Sequence, residues 1–261
     1  MSAFETILTA RDGDVLTITL NRPDRLNAAP PEMFTEIRAA LADLGGARAV
    51  LFASTGRAFC SGADLAGGLD RGGDPAEATH QALSTAYNPT MQAIARLDVP
   101  VVSAVRGPAA GIGCSLALAA DFCVASDTAY FLQAFVNIGL VPDGGASWML
   151  PRLIGKARAA EMMMLGERVP AQTALDWGMI HKVVPDQELD EAARALAMRL
   201  AAGPTRALGA MRRALIGALE TDYAAAMAAE ADAQRDMRRT QDSVEGGMAF
   251  LAKRRPAFTG R

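Results

Sequence analysis

The stretch GLVPDGG, residues 139 to 145, sets one carboxylate, Asp143, between a proline and two glycines at the end of a long apolar region. From Leu97 to Pro142 only Asp98, Arg106, Asp121 and Asp127 carry charge. A carboxylate in such surroundings is a candidate general base, because burial raises its proton affinity towards the working pH. Pro-Asp-Gly is also a common turn sequence, and with a helix expected to begin near Ala146 the same residue could serve as a turn residue or N-cap. Two further stretches offer main-chain chemistry. FCSGADL (59 to 65) and PAAGIGCS (108 to 115) are glycine-containing loops, each just after an expected buried strand, where N–H groups can converge on one oxygen. Either alone reads as a tight turn; together they suggest an oxyanion hole.

Other constellations lead elsewhere. Ser115, Asp143 and His181 reproduce the chain order of an α/β-hydrolase triad, and GCSLA (113 to 117) approximates its nucleophile elbow. An elbow bends directly from strand into helix, whereas RGPAAG intervenes here, and helical sequence follows His181 where a hydrolase sheet would already be complete. A serine hydrolase is therefore not expected. Gly111, Ile112 and Gly113 open a helix as a dinucleotide fingerprint would, but Leu116 stands at the third glycine position. Gly155 and Lys156 are followed by Ala157, so there is no phosphate-binding P-loop. His80 and His181, the only histidines, suggest surface or structural roles and no metal set. Met162 to Met164 are expected to fill a core helix.

These groups need elements to hold them. FETILTARDGDVLTITLNRP carries two runs rich in β-branched residues around Asp12 and Gly13, a hairpin signal. Met33, Phe34, Ile37, Leu41 and Leu44 recur at helical spacing, with Gly45 as a stop. ARAVLFAS and VPVVSAVRG read as buried strands, Tyr87 to Leu97 and GIGCSLALAADF as helices, and Gly67 to Asp74 as a mobile loop. The alternation predicts an α/β fold built from strand-loop-helix units. From Gln187 the sequence is alanine-rich and amphipathic, broken at Gly203 and Pro204, which predicts several helices. The expected division is a core over 1–190 and a C-terminal helical subdomain over 191–261.

Of the 261 residues, 51% are hydrophobic and 21% charged, and the net charge of -3 argues against an electrostatic nucleic-acid binder. Cys60, Cys114 and Cys123 are odd in number and form no CxxC pair, so neither a disulfide framework nor a zinc site is suggested and a reducing cytoplasm fits. The N-terminus does not resemble a signal peptide, and the apolar run Gly107 to Ala120 is shorter than the ~20 residues of a membrane span. The chain is expected to be cytoplasmic, with no nucleic acid, membrane or metal among its partners.

RPDRLNA, GRAFCSGADL, GPAAGIGCSLALAAD, GLVPDGG and LGERVPAQTALDWGMIHKVV occur in this order across nearly the whole chain. In this the sequence resembles the enoyl-CoA hydratase/isomerase (crotonase) superfamily. YNP (87 to 89), GLVPDGGASWMLPR and FLAKRRPAFTGR are most similar to its branch of 2-(1,2-epoxy-1,2-dihydrophenyl)acetyl-CoA isomerases of phenylacetate degradation.

The resemblance implies a crotonase-like spiral of ββα units with a C-terminal helical trimerisation region, assembled as a homotrimer or a dimer of trimers. It implies an acyl-CoA thioester whose carbonyl oxygen lies between the amides of Ala63 and Ile112, coenzyme A entering as part of the substrate with no other cofactor. At Ile112 the family usually has glycine; only the N–H is used, so the hole is expected to survive with a narrower acyl pocket. Arg25, Asp64 and Leu65 look like contacts to CoA, as do Phe250 and Lys253 for CoA held by a neighbouring subunit, whereas the bare residues Lys253 to Arg255 read as a solvated helix end. Family hydratases carry glutamates where Ser115 and Phe135 stand, and neither replacement can act as a base near neutral pH. With Ser115, Phe135 and Trp148 lining the acyl pocket, Asp143 is left as the single carboxylate, enough for a 1,3-proton shift through an enolate. Burial among Phe131, Phe135, Val141 and Trp148 is expected to raise its basicity. A hydratase and a catalytically inert CoA-binding member are the alternatives.

Overall fold

The computed structural model describes residues 4–64 and 74–261. In chain order its strands are β1 (Ile7–Asp12), β2 (Val15–Leu20), β3 (Ala49–Ser54), β4 (Val101–Val105), β5 (Pro108–Ala110), β6 (Phe122–Ser126), β7 (Tyr130–Leu132), β8 (Val169–Pro170) and β9 (Lys182–Val184). The helices are α1 (Pro31–Ala42), α2 (Pro75–Ala82), α3 (Asn88–Ala95), α4 (Ile112–Leu118), α5 (Ala146–Leu165), α6 (Ala171–Asp176), α7 (Leu189–Ala201), α8 (Thr205–Ala218), α9 (Tyr223–Met237) and α10 (Gln241–Leu251).

Two sheets organise the core. The larger runs β1-β2-β3-β4-β6-β9, parallel except for the expected β1–β2 hairpin, and the smaller runs β5-β7-β8. Every residue of β4, VVSAV, is buried, as a central parallel strand covered on both faces requires. After β4 the chain steps into β5 and then α4; after β6 it steps into β7 and on to α5. Those are the ββα units of the expected spiral. After β3 the same step is reduced to one bridge, Cys60 to Ala109, with Cys60 N–H donating to Pro108 and Ala110 N–H to Cys60. The turn from large to small sheet depends on Gly107, at φ +57, where a Cβ would stand 2.2 Å from the carbonyl oxygen of Arg57. Strands this short carry no periodic signature. RGPAAG, read from sequence as an irregular intervening segment, is therefore corrected: Pro108–Ala110 is a strand and only Gly111 separates it from α4.

Helix α1 begins with Pro31 at its first position and buries Met33, Phe34, Ile37 and Leu41 of the expected stripe with Ala40 besides, while Leu44 lies beyond its end. Helix α7 covers the opposite face of the large sheet, its Ala193, Ala197 and Ala201 lying against Val15, Ala49, Leu51 and Val102. The expected boundary after residue 190 thus falls within a helix that packs on the sheet, and the helices that leave the sheet begin with α8. That helix is docked by Arg212, which donates to Asp121 at 2.6–2.7 Å and to the Leu97 carbonyl at 2.6 Å. Helix α9 buries no residue, and Leu215, Tyr223, Phe250 and Leu251 are each at least 70% exposed. Among the described residues no helix is long and apolar enough to cross a membrane.

Candidate active site

The site is assembled where the small sheet meets α4. Its first wall is the loop at Cys60 to Asp64. Asn27, fully buried, accepts from Arg22 N–H at 2.7 Å and donates to the carbonyls of Thr55 and Ala58 at 2.8 Å, so the preceding turn is fixed although Leu26 and Asn27 have φ of 51 and 53°. Ala29 then bridges Ala63 in parallel register: its N–H donates to Gly62 and its carbonyl accepts from Asp64 N–H. Such a bridge uses the groups on either side of Ala63 and turns the amide of Ala63 away from Ala29.

The second wall is the turn into α4. Gly111, at φ 52°, donates to the Leu132 carbonyl, and its own carbonyl takes the N–H groups of Cys114 and Ser115. Ile112 is the first residue of the helix, where N–H groups have no intrahelical partner. The two walls touch directly before the two amides: a Cβ on Gly111 would lie 3.8 Å from Gly62 Cα, and one on Gly113 would lie 2.6 Å from Cys60 Cβ. The ring of Phe135 closes over the same turn, its Cζ 3.5 Å from a Cβ at Gly111. The two glycine loops are therefore brought together at Gly62 and Gly111.

Asp143 follows from the other end. Ser115 donates its hydroxyl to the Asp143 carbonyl at 3.0 Å, and Gly144, at φ +61, lies so close to α4 that a Cβ there would stand 2.4 Å from Ile112 Cδ1. The cap of α5 is Gly145, with no side-chain cap hydrogen bond, and Asp143 contributes only its carbonyl, which accepts from Ala146 N–H. Its carboxylate serves neither turn nor cap. One carboxylate oxygen is buried without a hydrogen-bond partner, and burial pushes the group up from 3.8 to about 6. Val141, expected to help bury it, is instead 81% exposed.

The remaining expected residues sort by place. Phe135 and Ser115 border the turn at α4, whereas Trp148 lies in the first turn of α5 with the guanidinium of Arg152 over its ring at 4.2 Å. Asp64 pairs with Arg22 at 2.8 Å, and Arg25 is exposed on the turn fixed by Asn27. Leu65 lies outside the described residues, as does most of the loop expected from Gly67 to Asp74. Phe250 and Lys253 are exposed at the far end of α10. His181 is exposed with its ring edge-on to Phe122, and Ser115 is committed to Asp143, so no hydrolase triad forms. Burial raises the Cys60 thiol to about 11 and those of Cys114 and Cys123 to about 12, which keeps them protonated and unreactive.

Two residues went unrecognised in the sequence. Tyr87, noted only within YNP and as the start of a helix, is 6% exposed and donates its hydroxyl to the Ala29 carbonyl at 2.8 Å. Gln133 is fully buried, and its amide oxygen and nitrogen both lack a hydrogen-bond partner. Among the described residues the only other such side-chain atom is the Asp143 oxygen, so all of them fall in the segment from Gln133 to Asp143. A glutamine two residues before an aromatic gives no sequence signal of that kind.

A spiral of ββα units in which the two glycine loops meet, with the segment carrying Asp143 packed on α4, defines a crotonase-fold protein. The chain matches the enoyl-CoA hydratase/isomerase family over residues 10–261 and belongs to that family of enzymes. It is 41% identical to the 1,2-epoxyphenylacetyl-CoA isomerase of Escherichia coli, over 98% of this chain and 99% of that one. It is 42% identical to a Rhodobacter capsulatus protein named "Probable enoyl-CoA hydratase", over 99% of this chain and 100% of the other. The crystal structure of an enoyl-CoA hydratase from Bacillus anthracis superposes with a TM-score of 0.92 at 30% identity, covering 98% of this chain and 100% of that one.

Proposed function

We propose that this enzyme is an acyl-CoA isomerase that works through a thioester enolate, with Asp143 as the base. The observation that carries the reading is Asp143: one carboxylate oxygen buried and unpaired, its proton affinity raised to about 6, on a segment packed against the helix that begins at Ile112. The thioester oxygen sits between the amides of Ala63 and Ile112. Asp143 takes a proton from the acyl chain, the electron pair moves onto that oxygen as an enolate, and the proton returns at the other end of the allyl system. A group titrating near 6 is well matched to a reversible transfer at neutral pH.

The acyl portion lies along Ser115, Phe135 and Trp148. The CoA portion runs along Arg25, Asp64 and Leu65, with Phe250 and Lys253 supplied by a neighbouring copy in a homotrimer or a dimer of trimers. No cofactor is needed beyond the coenzyme A of the substrate, and the enzyme is cytoplasmic. The name of the Escherichia coli relative points to epoxyphenylacetyl-CoA as the first ring-bearing substrate to try. The Rhodobacter relative favours a hydratase instead. A hydratase needs a further group to hold water, and the Ser115 hydroxyl is already given to the Asp143 carbonyl.

The test is deuterium incorporation from heavy water into a bound enoyl thioester. Asp143→Asn is expected to bind the thioester and to incorporate no deuterium; exchange at the wild-type rate in that variant removes Asp143 from the mechanism. Incubation with 2-enoyl-, 3-enoyl- and epoxyphenylacetyl-CoA, followed by mass detection, separates bond migration or ring expansion from water addition, and binding without turnover identifies an inert member.

A further inference from the structure

Among the described residues Ala63, the proposed oxyanion donor, is held by one bridge to Ala29, whose carbonyl accepts from the N–H of Asp64 at 3.0 Å and from the hydroxyl of Tyr87 at 2.8 Å. The first belongs to the loop itself. The second reaches in from elsewhere in the chain. Tyr87 closes a five-residue π-helical turn, Leu83–Tyr87, between α2 and α3, and such turns are costly insertions that recur at functional sites. The turn brings the ring against Phe34 of α1 at a centroid distance of 4.7 Å, and ring packing alone would be served equally by phenylalanine. What the hydroxyl adds is a hold on the carbonyl of the one residue that aligns Ala63. Burial and, after it, the charge of Asp143 push the Tyr87 phenol up, so the hydroxyl stays protonated and able to donate.

We propose that Tyr87 is a positioning residue for the oxyanion hole: its hydroxyl fixes the Ala29 carbonyl, and through the Ala29–Ala63 bridge it sets the direction of the Ala63 amide. The inference rests on the proposed use of the Ala63 amide as an enolate donor. Tyr87 touches neither the proton in flight nor the base. Its loss leaves the carboxylate intact and lets the strand segment at Ala29 shift against Ala63, and displacements on the order of 1 Å in a preorganised site cost rates by up to about 100-fold.

Tyr87→Phe and Asp143→Asn separate this inference from the reading beneath it. The probe is an aryl-conjugated acyl-CoA, cinnamoyl-CoA, whose absorbance moves to longer wavelength when hydrogen bonds polarise its thioester carbonyl. At saturating protein the shift reports the hole and not the amount of folded enzyme. Asp143→Asn is expected to keep the shift while losing exchange. Tyr87→Phe is expected to lose most of the shift and to lower kcat for exchange by about 10- to 100-fold, with KM changed less than about threefold and the pH midpoint of the rate unmoved. A Tyr87→Phe enzyme with the wild-type shift and kcat overturns the positioning role alone. Wild-type exchange in Asp143→Asn overturns the base assignment and leaves the Tyr87 result standing.

Discussion

At the scale of single residues, Asp143 links chemistry to stability with a definite sign. Its folded-state value of about 6 lies above the ordinary carboxylate value of 3.8, so between those pH values the folded chain holds a proton that the unfolded chain has released. Stability contributed by this group is full below about pH 4 and is lost as the pH rises through about 6. Asp143→Asn is accordingly expected to be more stable than the native chain at pH 7.5 by about 1 to 3 kcal/mol, with the gain vanishing towards pH 4. Urea titrations at the two pH values read it directly, and a variant less stable at pH 7.5 would contradict the burial of a charged carboxylate. Activity runs the other way: kcat/KM is expected to fall about tenfold per unit below pH 6 as the base is protonated. That Asp143 stands alone as a candidate base was legible in the sequence, because charge is scarce around it. That its side chain caps nothing was not, since Pro-Asp-Gly looks the same in an ordinary turn.

At the scale of elements, glycines set how closely the pieces approach. Gly144 combines a left-handed backbone with contact to Ile112 and Ser115, so it lets the segment carrying Asp143 lie flat on α4. Gly144→Ala is expected to cost about 2 kcal/mol in stability and, on the proposed mechanism, to lower exchange by more than tenfold, because the segment carrying Asp143 is pushed off α4. Thermal melts together with exchange rates check both; a fully active variant would mean that the base tolerates the displacement. The buried strands β3 and β4, helix α1 and the two glycine loops were readable from their runs and spacing. The small sheet was not, because three-residue strands such as β5 and β7 are shorter than any period, and α2 with its π turn was hidden in a polar stretch with no apolar stripe. Tyr87 was lost with it: an aromatic before Asn-Pro looks like helix packing until its hydroxyl is seen on Ala29.

At the scale of the whole molecule, the C-terminal helices are joined to the core chiefly by polar contacts. Arg212 is 5% exposed and spans from α8 to Asp121 and the carbonyls of Leu97 and Ile94. Arg212→Ala takes the guanidinium from Asp121, which among the described residues keeps only the Val101 N–H, and from those carbonyls, and is expected to destabilise the chain by about 3 kcal/mol while kcat per folded molecule stays unchanged. Denaturant titration and active-site counting test the pair; an unaffected midpoint would show that the helices dock by other means. The breaks at Gly203 and Pro204 announced these helices in the sequence, but an arginine on an amphipathic helix reads as exposed, so its burial could not be anticipated.

The unpaired oxygen of Asp143 also bears on inhibition. A buried acceptor with no protein donor rewards a ligand that brings one. An acyl-CoA analogue with an N–H in place of the transferable C–H would form a hydrogen bond that the substrate cannot, and would not have to displace a protein donor first. The gain is on the order of 1.5 to 3 kcal/mol, the range for a hydrogen bond to a charged group, or roughly 10- to 150-fold in affinity. A relative whose carboxylate is already satisfied by its own chain would show no such gain, so the unpartnered oxygen would make the analogue selective.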